Sequence, residues 1–569
     1  ASTMTQTITA RECRFAIHIP TRQYDVPDVH LIKEVVHCSD GTIQPNVKLI
    51  KNFKLPFWIT QKSKQNHEQK KEWETKENLN EFSCTQSELR YAIAKAFDKP
   101  WSKEYLRQLS ASPYLYGSDV TSTAYLKMQY MKKWPDATTP YSIATLDIET
   151  DVVHGTKKII MNTIILRAKD HLKVMTYVLQ EYLSGYSNPI ERIDAKMTEY
   201  LNEYVKRLNI QCETIICESE IEIVQESFKQ LHEWKPDFLS IWNMDYDVPK
   251  IVEACETAGV DPKDVFCDPI VPKDLRFFKY MQGPKKKVTA SGVVKPINPA
   301  DQWHSVLCPS SFFIIDAMCS YRQIRLAKQA LLSYSLDSVL HEELGIRKLK
   351  FEAADQYIGL RWHQFMQTEF KIEYIIYNRF DCISMIELEN KIKDLSFTLP
   401  SFAGASDFAR FNSQPKKIAD AMFMFLENEG RVPSTVGPSP KEDELSEEAP
   451  DPETLGLDDW IITLPAHLMA DNGLRCIAED PTMRTNIRAY NADSDAVSSY
   501  PSDMSACNVS KETTQREVIN IEGIPEEIFR LQNINLLSGH VNAVEYCVNM
   551  FNFPTADQVL QQFQNDLMN

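Results

Sequence analysis

Residues 145 to 150 read TLDIET, and Asp147 and Glu149 stand two apart in a run otherwise built on Ile143, Leu146 and Ile148. Side chains alternate across a strand, so both carboxylates point into the same space. Acids held in this way invite a cation. The motif alone is weak: with 79 acids in 569 residues, roughly eleven acid-x-acid triplets arise by chance, and Glu218-Ser219-Glu220 is one. The weight falls on what else the same region carries.

At 238 the run FLSIW reads as a buried strand and passes directly into NMDYDVPKIVEACETAG, a turn and then a helix. Asp247 falls at that handover, where α/β sheets gather ligands. It also suits the N-cap of a helix with Pro249 close behind, and one carboxylate can do both. From 374, YIIYNRFDCISMIELENKI reads as a helix that places Tyr377 and Asp381 four apart on one face. A surface Asp on an ordinary helix is the competing reading.

Packed together, Asp147, Glu149, Asp247 and Asp381 repel unless neutralised. Two divalent cations about 3.5 to 4 Å apart would neutralise them and clamp the attacking and leaving oxygens of a phosphodiester displacement. Oxygen-only ligands suit Mg²⁺ or Mn²⁺ rather than zinc. The implied chemistry is phosphodiester hydrolysis, with Tyr377 orienting the water.

These residues need a scaffold. A chain of 569 residues exceeds one core and suggests roughly three or four domains. To about residue 135, strand-like runs (RFAIHI, NVKLIKNF) mix with the helical ELRYAIAKAF in an α+β pattern. After the break at KKWPDATTPY, strand runs (SIATLDI, TIILRA, VMTYVL, ETIICE, DFLSIW, FFIIDA) alternate with helices such as VQESFKQLHEW, the signature of an α/β sheet. Five prolines between 433 and 452 and seven acids between 442 and 453 mark an exposed linker or hinge.

The formal charge of −17 argues against non-specific coating of nucleic acid but allows a local basic groove. Lys285-Lys286-Lys287, in a segment that reads as a hairpin (VTASGVV), is one candidate, and a solvated loop is the plainer account. Thirteen cysteines lie without metal-ligand spacing, which fits reduced thiols. No apolar run approaches the roughly 18 residues that span a bilayer, and a cytoplasmic protein without membrane contact is expected.

DIE at 147–149, N-x-x-Y-D at 243–247 and Y-x-x-x-D at 377–381 resemble, in order and spacing, the three motifs of the DEDDy 3′–5′ proofreading exonuclease domain of family B DNA polymerases. WNMDYDVPKI, SYSLDSVL, KLKFE and EYIIYNRFD are similar to the replicative polymerases of T-even-like bacteriophages. The resemblance implies that Asp147, Glu149, Asp247 and Asp381 bind metal and that Tyr377 positions water. The phage enzymes usually carry one more residue inside the second motif, so Asp245 stands as a rival to Asp247.

The same resemblance implies an N-terminal domain over 1–137, an RNase H-like exonuclease domain with a mixed sheet over 138–395, a return to the N-terminal domain over 396–470 with its linker at about 433–456, and a first part of the palm over 471–569. DSDAVSSYPSDM resembles palm motif A, D-x-x-S-L-Y-P-S. By that match Asp495 binds the catalytic metals, Ser498 and Ser499 offer backbone to the triphosphate, and Tyr500 stacks under the sugar. Ser499 replaces the usual Leu, and Asp493 is a substitute acid.

Synthesis needs a second palm carboxylate, normally from a D-x-D hairpin, and no D-x-D occurs in the 74 residues after Asp495. Cationic donors for the triphosphate are also few, with only Lys511, Arg516 and Arg530 in that stretch. The expectation is therefore a split or truncated polymerase, in which a second polypeptide supplies fingers, remaining palm and thumb. Expected partners are primer-template DNA, single-stranded 3′ ends, dNTPs and, through the second chain, a sliding clamp. A stand-alone exonuclease and a catalytically idle nucleic-acid-binding scaffold are the alternatives.

Overall fold

Runs of β-branched and aromatic residues favour the extended chain, and the protein begins with three of them. In the computed structural model β1 (Ile8–Ile19), β2 (Val29–Cys38) and β3 (Ile43–Lys51) form an antiparallel sheet in the order β1-β2-β3. Helix α1 (Ser122–Lys133), capped by the Thr121 hydroxyl on Ala124 N, packs on β1. A second small sheet joins Lys54–Thr60 to Leu79–Thr85 and Leu115–Tyr116. The structure describes residues 6–20, 26–100, 106–288 and 292–437, with 501–502, 505, 532–536, 539–542 and 561 beyond them.

A six-stranded mixed sheet follows. Its strands are β4 (Ile143–Thr150), β5 (Ile159–Arg167), β6 (Leu172–Leu179), β7 (Ile210–Cys217), β8 (Phe238–Ile241) and β9 (Phe313–Asp316). The order is β7-β6-β5-β4-β8-β9. The β4/β5 and β5/β6 pairs are antiparallel, and the other three are parallel. Helix α2 (Pro189–Leu208) leads from β6 to β7, α3 (Glu220–Trp234) from β7 to β8, and α4 (Met244–Thr257) leaves β8.

Two further helices, α5 (Leu360–Glu369) and α6 (Lys371–Ile392), bring the chain back against the sheet. Helix α6 packs on β4 and β5, and α3 also packs on β5. Coverage of both faces explains why β4 and β5 are buried along most of their length. It also explains why α6 is buried almost all round, from Tyr374 to Ile386.

After α6 the chain passes through α7 (Gln414–Asn428) to Arg431–Pro433, which pairs with Trp73–Thr75 near the start. These elements belong to a unit spanning Ala1–Ser439, and Pro440–Asn569 forms a second unit. In the second, Gln532–Leu536 pairs antiparallel with Gly539–Asn542. Asp493, Asp495, Ser498, Ser499 and Tyr500 lie outside the described residues. Every described cysteine is a free thiol, and among the described residues no helix is long and apolar enough to cross a membrane.

One apolar cluster joins the first sheet to the six-stranded sheet, with Phe15, Phe238, Phe313 and Phe408 among its rings. A charged knot lies beside it. Lys33, with no exposed surface, donates to the carbonyls of Lys235, Pro236 and Ser311 and lies 3.5 Å from Asp237. Arg14 approaches Asp237 at 3.1 Å and covers the Tyr141 ring, while Ser142 N donates to Asp237 at 2.8 Å. Burial pulls the Lys33 ammonium down to about 8 against the opposing pull of Asp237.

Deleting one partner of such a pair strands the others without water. Lys33→Ala is expected to lose about 3 to 5 kcal/mol of stability, read as a drop in chemical-denaturation midpoint. A change below about 1 kcal/mol would mean that the knot contributes no more than a surface pair.

Candidate metal centre

Strand β4 lies inside the sheet between β5 and β8: β8 pairs with its start, Ile143–Thr145, and β5 pairs with it onward past Asp147 and Glu149. Asp147 pairs with Thr163 and Glu149 with Met161, and a bulge follows Glu149. Both acids sit half-buried on one face while Leu146 and Ile148 are buried. Asp381 comes from α6 and is 3% exposed. One carboxylate oxygen from each of Asp147, Glu149 and Asp381 lies within 4.8 Å of the others, so this cluster could hold a metal ion.

Asp247, 2% exposed, sits in the first turn of α4. Its charge is a leading cause of the raised Asp147 pKa, so it belongs to the same electrostatic field. The N-cap of α4 is Asn243, and Asp247 does no capping. The rival Asp245 turns elsewhere: it accepts from Tyr280 at 2.6 Å and from Gln282, and pairs with Lys285 at 3.2 Å. Lys285 thus ties down the base of a hairpin whose strands, Lys286–Val288 and Val294–Pro296, are exposed. The hairpin expected from VTASGVV is present.

Burial and like charge act together on the acids. Burial raises Asp147 well above the carboxylate range, with Asp247, Asp381 and Glu149 adding to it. Asp247 is raised well above that range by burial and by Glu149. Glu149 is pushed up to about 7 by burial, against a lowering hydrogen bond from Tyr374. Asp381 is raised by burial, which Lys348 opposes.

Lys348 is the feature that motif reading missed. Its ammonium donates to Asp381 Oδ2 at 2.8 Å and to the Tyr377 hydroxyl at 3.2 Å. Burial works to lower its pKa, but Asp381, Tyr377 and Asp147 outweigh burial and hold it well above the ordinary lysine value. Tyr377 is raised by burial and by Asp381, so it stays a neutral phenol. The backbone of Lys348 is fixed by its own N–H on Asp337 at 2.8 Å. The phrases SYSLDSVL and KLKFE contain both residues, yet neither contains the partner that reveals the role.

Asn378 was missed as well. Its amide donates to Asp147 O and to Asp147 Oδ2 at 2.9 Å, and its own oxygen accepts from Thr163 at 2.6 Å. Tyr374 donates to Glu149 Oε2 at 2.6 Å. A signal for these existed, because Tyr374, Tyr377, Asn378 and Asp381 follow i, i+3, i+4, i+7 spacing on one helix face.

The donor set fits a hard cation. All candidate ligands are oxygens, the charge of Lys348 acts on all four carboxylates, and the buried Asp247 Oδ2 and Asp381 Oδ1 have no hydrogen-bond partner. No family model and no curated protein matches the chain.

These raised acids set a pH dependence. An acid whose folded pKa exceeds its unfolded value stabilises the fold below the unfolded pKa and loses that contribution as pH rises through the folded one. For Glu149 the window runs from 4.5 to about 7. Mn²⁺ is therefore expected to raise the melting temperature more at pH 8 than at pH 5.5, and at pH 8 a hundredfold excess over Kd stabilises by about 2.7 kcal/mol. Asp147→Asn should raise the metal-free melting temperature at pH 8 and remove most of the Mn²⁺ response. Equal Mn²⁺ shifts at both pH values would contradict this account.

Proposed function

We propose that this chain carries a metal-dependent 3′–5′ exonuclease that hydrolyses phosphodiester bonds at single-stranded DNA ends. More particularly, it is the N-terminal part of a family B replicative DNA polymerase of the T-even-like phage kind, in which this domain proofreads. The observation that carries the reading is the meeting of Asp147, Glu149 and Asp381, from a central strand and a distant helix, within 4.8 Å. The strand order offers further support. An antiparallel β4-β5-β6 meander continued by parallel β8 and β9 is the arrangement that an RNase H-like reading requires.

Asp147, Glu149, Asp247 and Asp381 would hold two Mg²⁺ or Mn²⁺ ions, which supply Lewis-acid activation of water and charge stabilisation on the departing oxygen. The chain's own residues prepare the site. Tyr377 presents its hydroxyl beside Asp381 and orients the attacking water. Lys348 bridges that hydroxyl and Asp381 and offsets part of the acidic charge before substrate arrives. Asn378 fixes Asp147 and leaves Asp147 Oδ1 available.

The polymerase half of the proposal rests on the likeness of the stretch with Asp495, Ser498, Ser499 and Tyr500 to palm motif A. Bases at the single-stranded end would stack on aromatic side chains.

The decisive assay is trimming of 5′-labelled single-stranded DNA in Mg²⁺. The wild-type chain should shorten it from the 3′ end, and Asp147→Ala should lose at least about a thousandfold of the rate. Absence of trimming, or trimming indifferent to Asp147→Ala, overturns the exonuclease and favours an idle scaffold. Asp495→Ala should leave trimming intact and abolish primer extension once the partner chain is added. Robust trimming without extension in the presence of any partner would favour a stand-alone exonuclease.

A further inference from the structure

Helix α5 carries no acid of the cluster, yet it grips the end of β4 at several points. One turn apart on its inner side, His363 and Gln367 face α6 and the strand. His363 Nδ1 lies 2.8 Å from the Tyr374 hydroxyl, which donates onward to Glu149 Oε2 at 2.6 Å. Gln367, 4% exposed, donates to Thr150 O at 2.9 Å and accepts from Val152 N at 3.1 Å. Gln364 adds a bond to Val152 O. The strand is thus held immediately beyond Glu149 while the carboxylate itself is held through Tyr374.

Proton counting fixes the direction of this chain. A phenol has one proton, and Tyr374 gives it to the carboxylate. His363 must then donate its own Nδ1–H to the phenol oxygen, as a neutral imidazole. Burial and the nearby Lys348 both lower the His363 pKa, which keeps the ring neutral. Glu149 Oε1 receives no hydrogen bond among the described residues. Aromatic packing stiffens the arrangement: Tyr374 and Tyr377 are nearly parallel at 5.8 Å, and Trp362 of α5 packs at 4.8 Å from Tyr377.

We propose that His363 and Tyr374 are positioning residues that commit Glu149 Oε2 to a hydrogen bond and thereby aim Oε1 at a divalent cation. The proposal rests on the exonuclease reading for its purpose, but its test does not require hydrolysis. Groups that orient a ligand from behind typically change metal affinity tenfold to a hundredfold when removed.

The experiment measures Mn²⁺ binding to the full chain without nucleic acid, by electron paramagnetic resonance of the free ion. Tyr374→Phe is expected to weaken the tightest binding about tenfold to a hundredfold, with the fold checked by circular dichroism. His363→Leu should weaken binding in the same direction. His363→Asn, whose amide reaches the place of Nδ1–H, should restore it to near the wild-type value. In hydrolysis assays Tyr374→Phe should raise the Mn²⁺ concentration needed for half-maximal rate and leave KM for DNA unchanged.

Unchanged Mn²⁺ affinity in a folded Tyr374→Phe overturns the proposal, as does a His363→Asn variant that binds no better than His363→Leu. If Tyr374→Phe fails to fold, the two His363 variants decide alone. A wild-type chain that binds Mn²⁺ but never hydrolyses DNA removes the exonuclease reading and leaves this one standing. Hydrolysis with identical affinities in all variants does the reverse.

Discussion

Like charge confined at the surface of a core is the constraint on which this structure turns. Two carboxylates about 5 Å apart repel by roughly 3 kcal/mol at an effective dielectric of about 20, and several such pairs meet here. The sum rivals the whole stability of an ordinary domain. The arrangement persists because the acids do not choose their places. Asp147 and Glu149 are carried by a strand paired with β8 at its start and with β5 past both acids, and Asp381 by a helix buried almost all round. Apolar burial of Leu146, Ile148, Ile164 and Ile376 supplies the force that holds the acids together.

What softens the repulsion also organises it. Lys348 takes one oxygen of Asp381, Asn378 one of Asp147, and Tyr374 one of Glu149. Each of these three acids is held by one oxygen, and the other accepts no hydrogen bond among the described residues. Three of the four groups that act on the acids, Tyr374, Tyr377 and Asn378, lie on one face of α6 with Asp381. The helix works as a ruler, its turn setting the spacing that the strand's two-residue repeat must meet.

A second strategy operates at the sheet's other end. Lys33, Arg14 and Asp237 lie buried where the first sheet meets the start of β8, the strand that leads to Asp247. Buried ion pairs are poor sources of net stability, but they tolerate only one arrangement of their partners. The carbonyls of Lys235 and Pro236 are drawn to Lys33 at the turn between α3 and β8. The register of β8 is thereby set from outside the six-stranded sheet.

Much of this was legible in the sequence because it depends on periodicity. The two-residue repeat in TLDIET put Asp147 and Glu149 on one face, the helical repeat put Tyr377 beside Asp381, and the apolar runs marked the strands of a mixed α/β protein with several sheets. Other features have no period. The separate settings of Asp245 and Asp247 depend on which way each points within the first turn of α4: Tyr280, Gln282 and Lys285 claim Asp245, while Asp247 lies in the field of the other acids. Lys348 reaches Asp381 across 33 residues of sequence, and His363 reaches Glu149 only through a third residue. Sequence by itself determined which side chains share a strand face or a helix face, because backbone geometry is local. The meeting of strand, helix and loop around one charge cluster was decided by tertiary structure alone, since it is set by how apolar surfaces pack between elements distant along the chain.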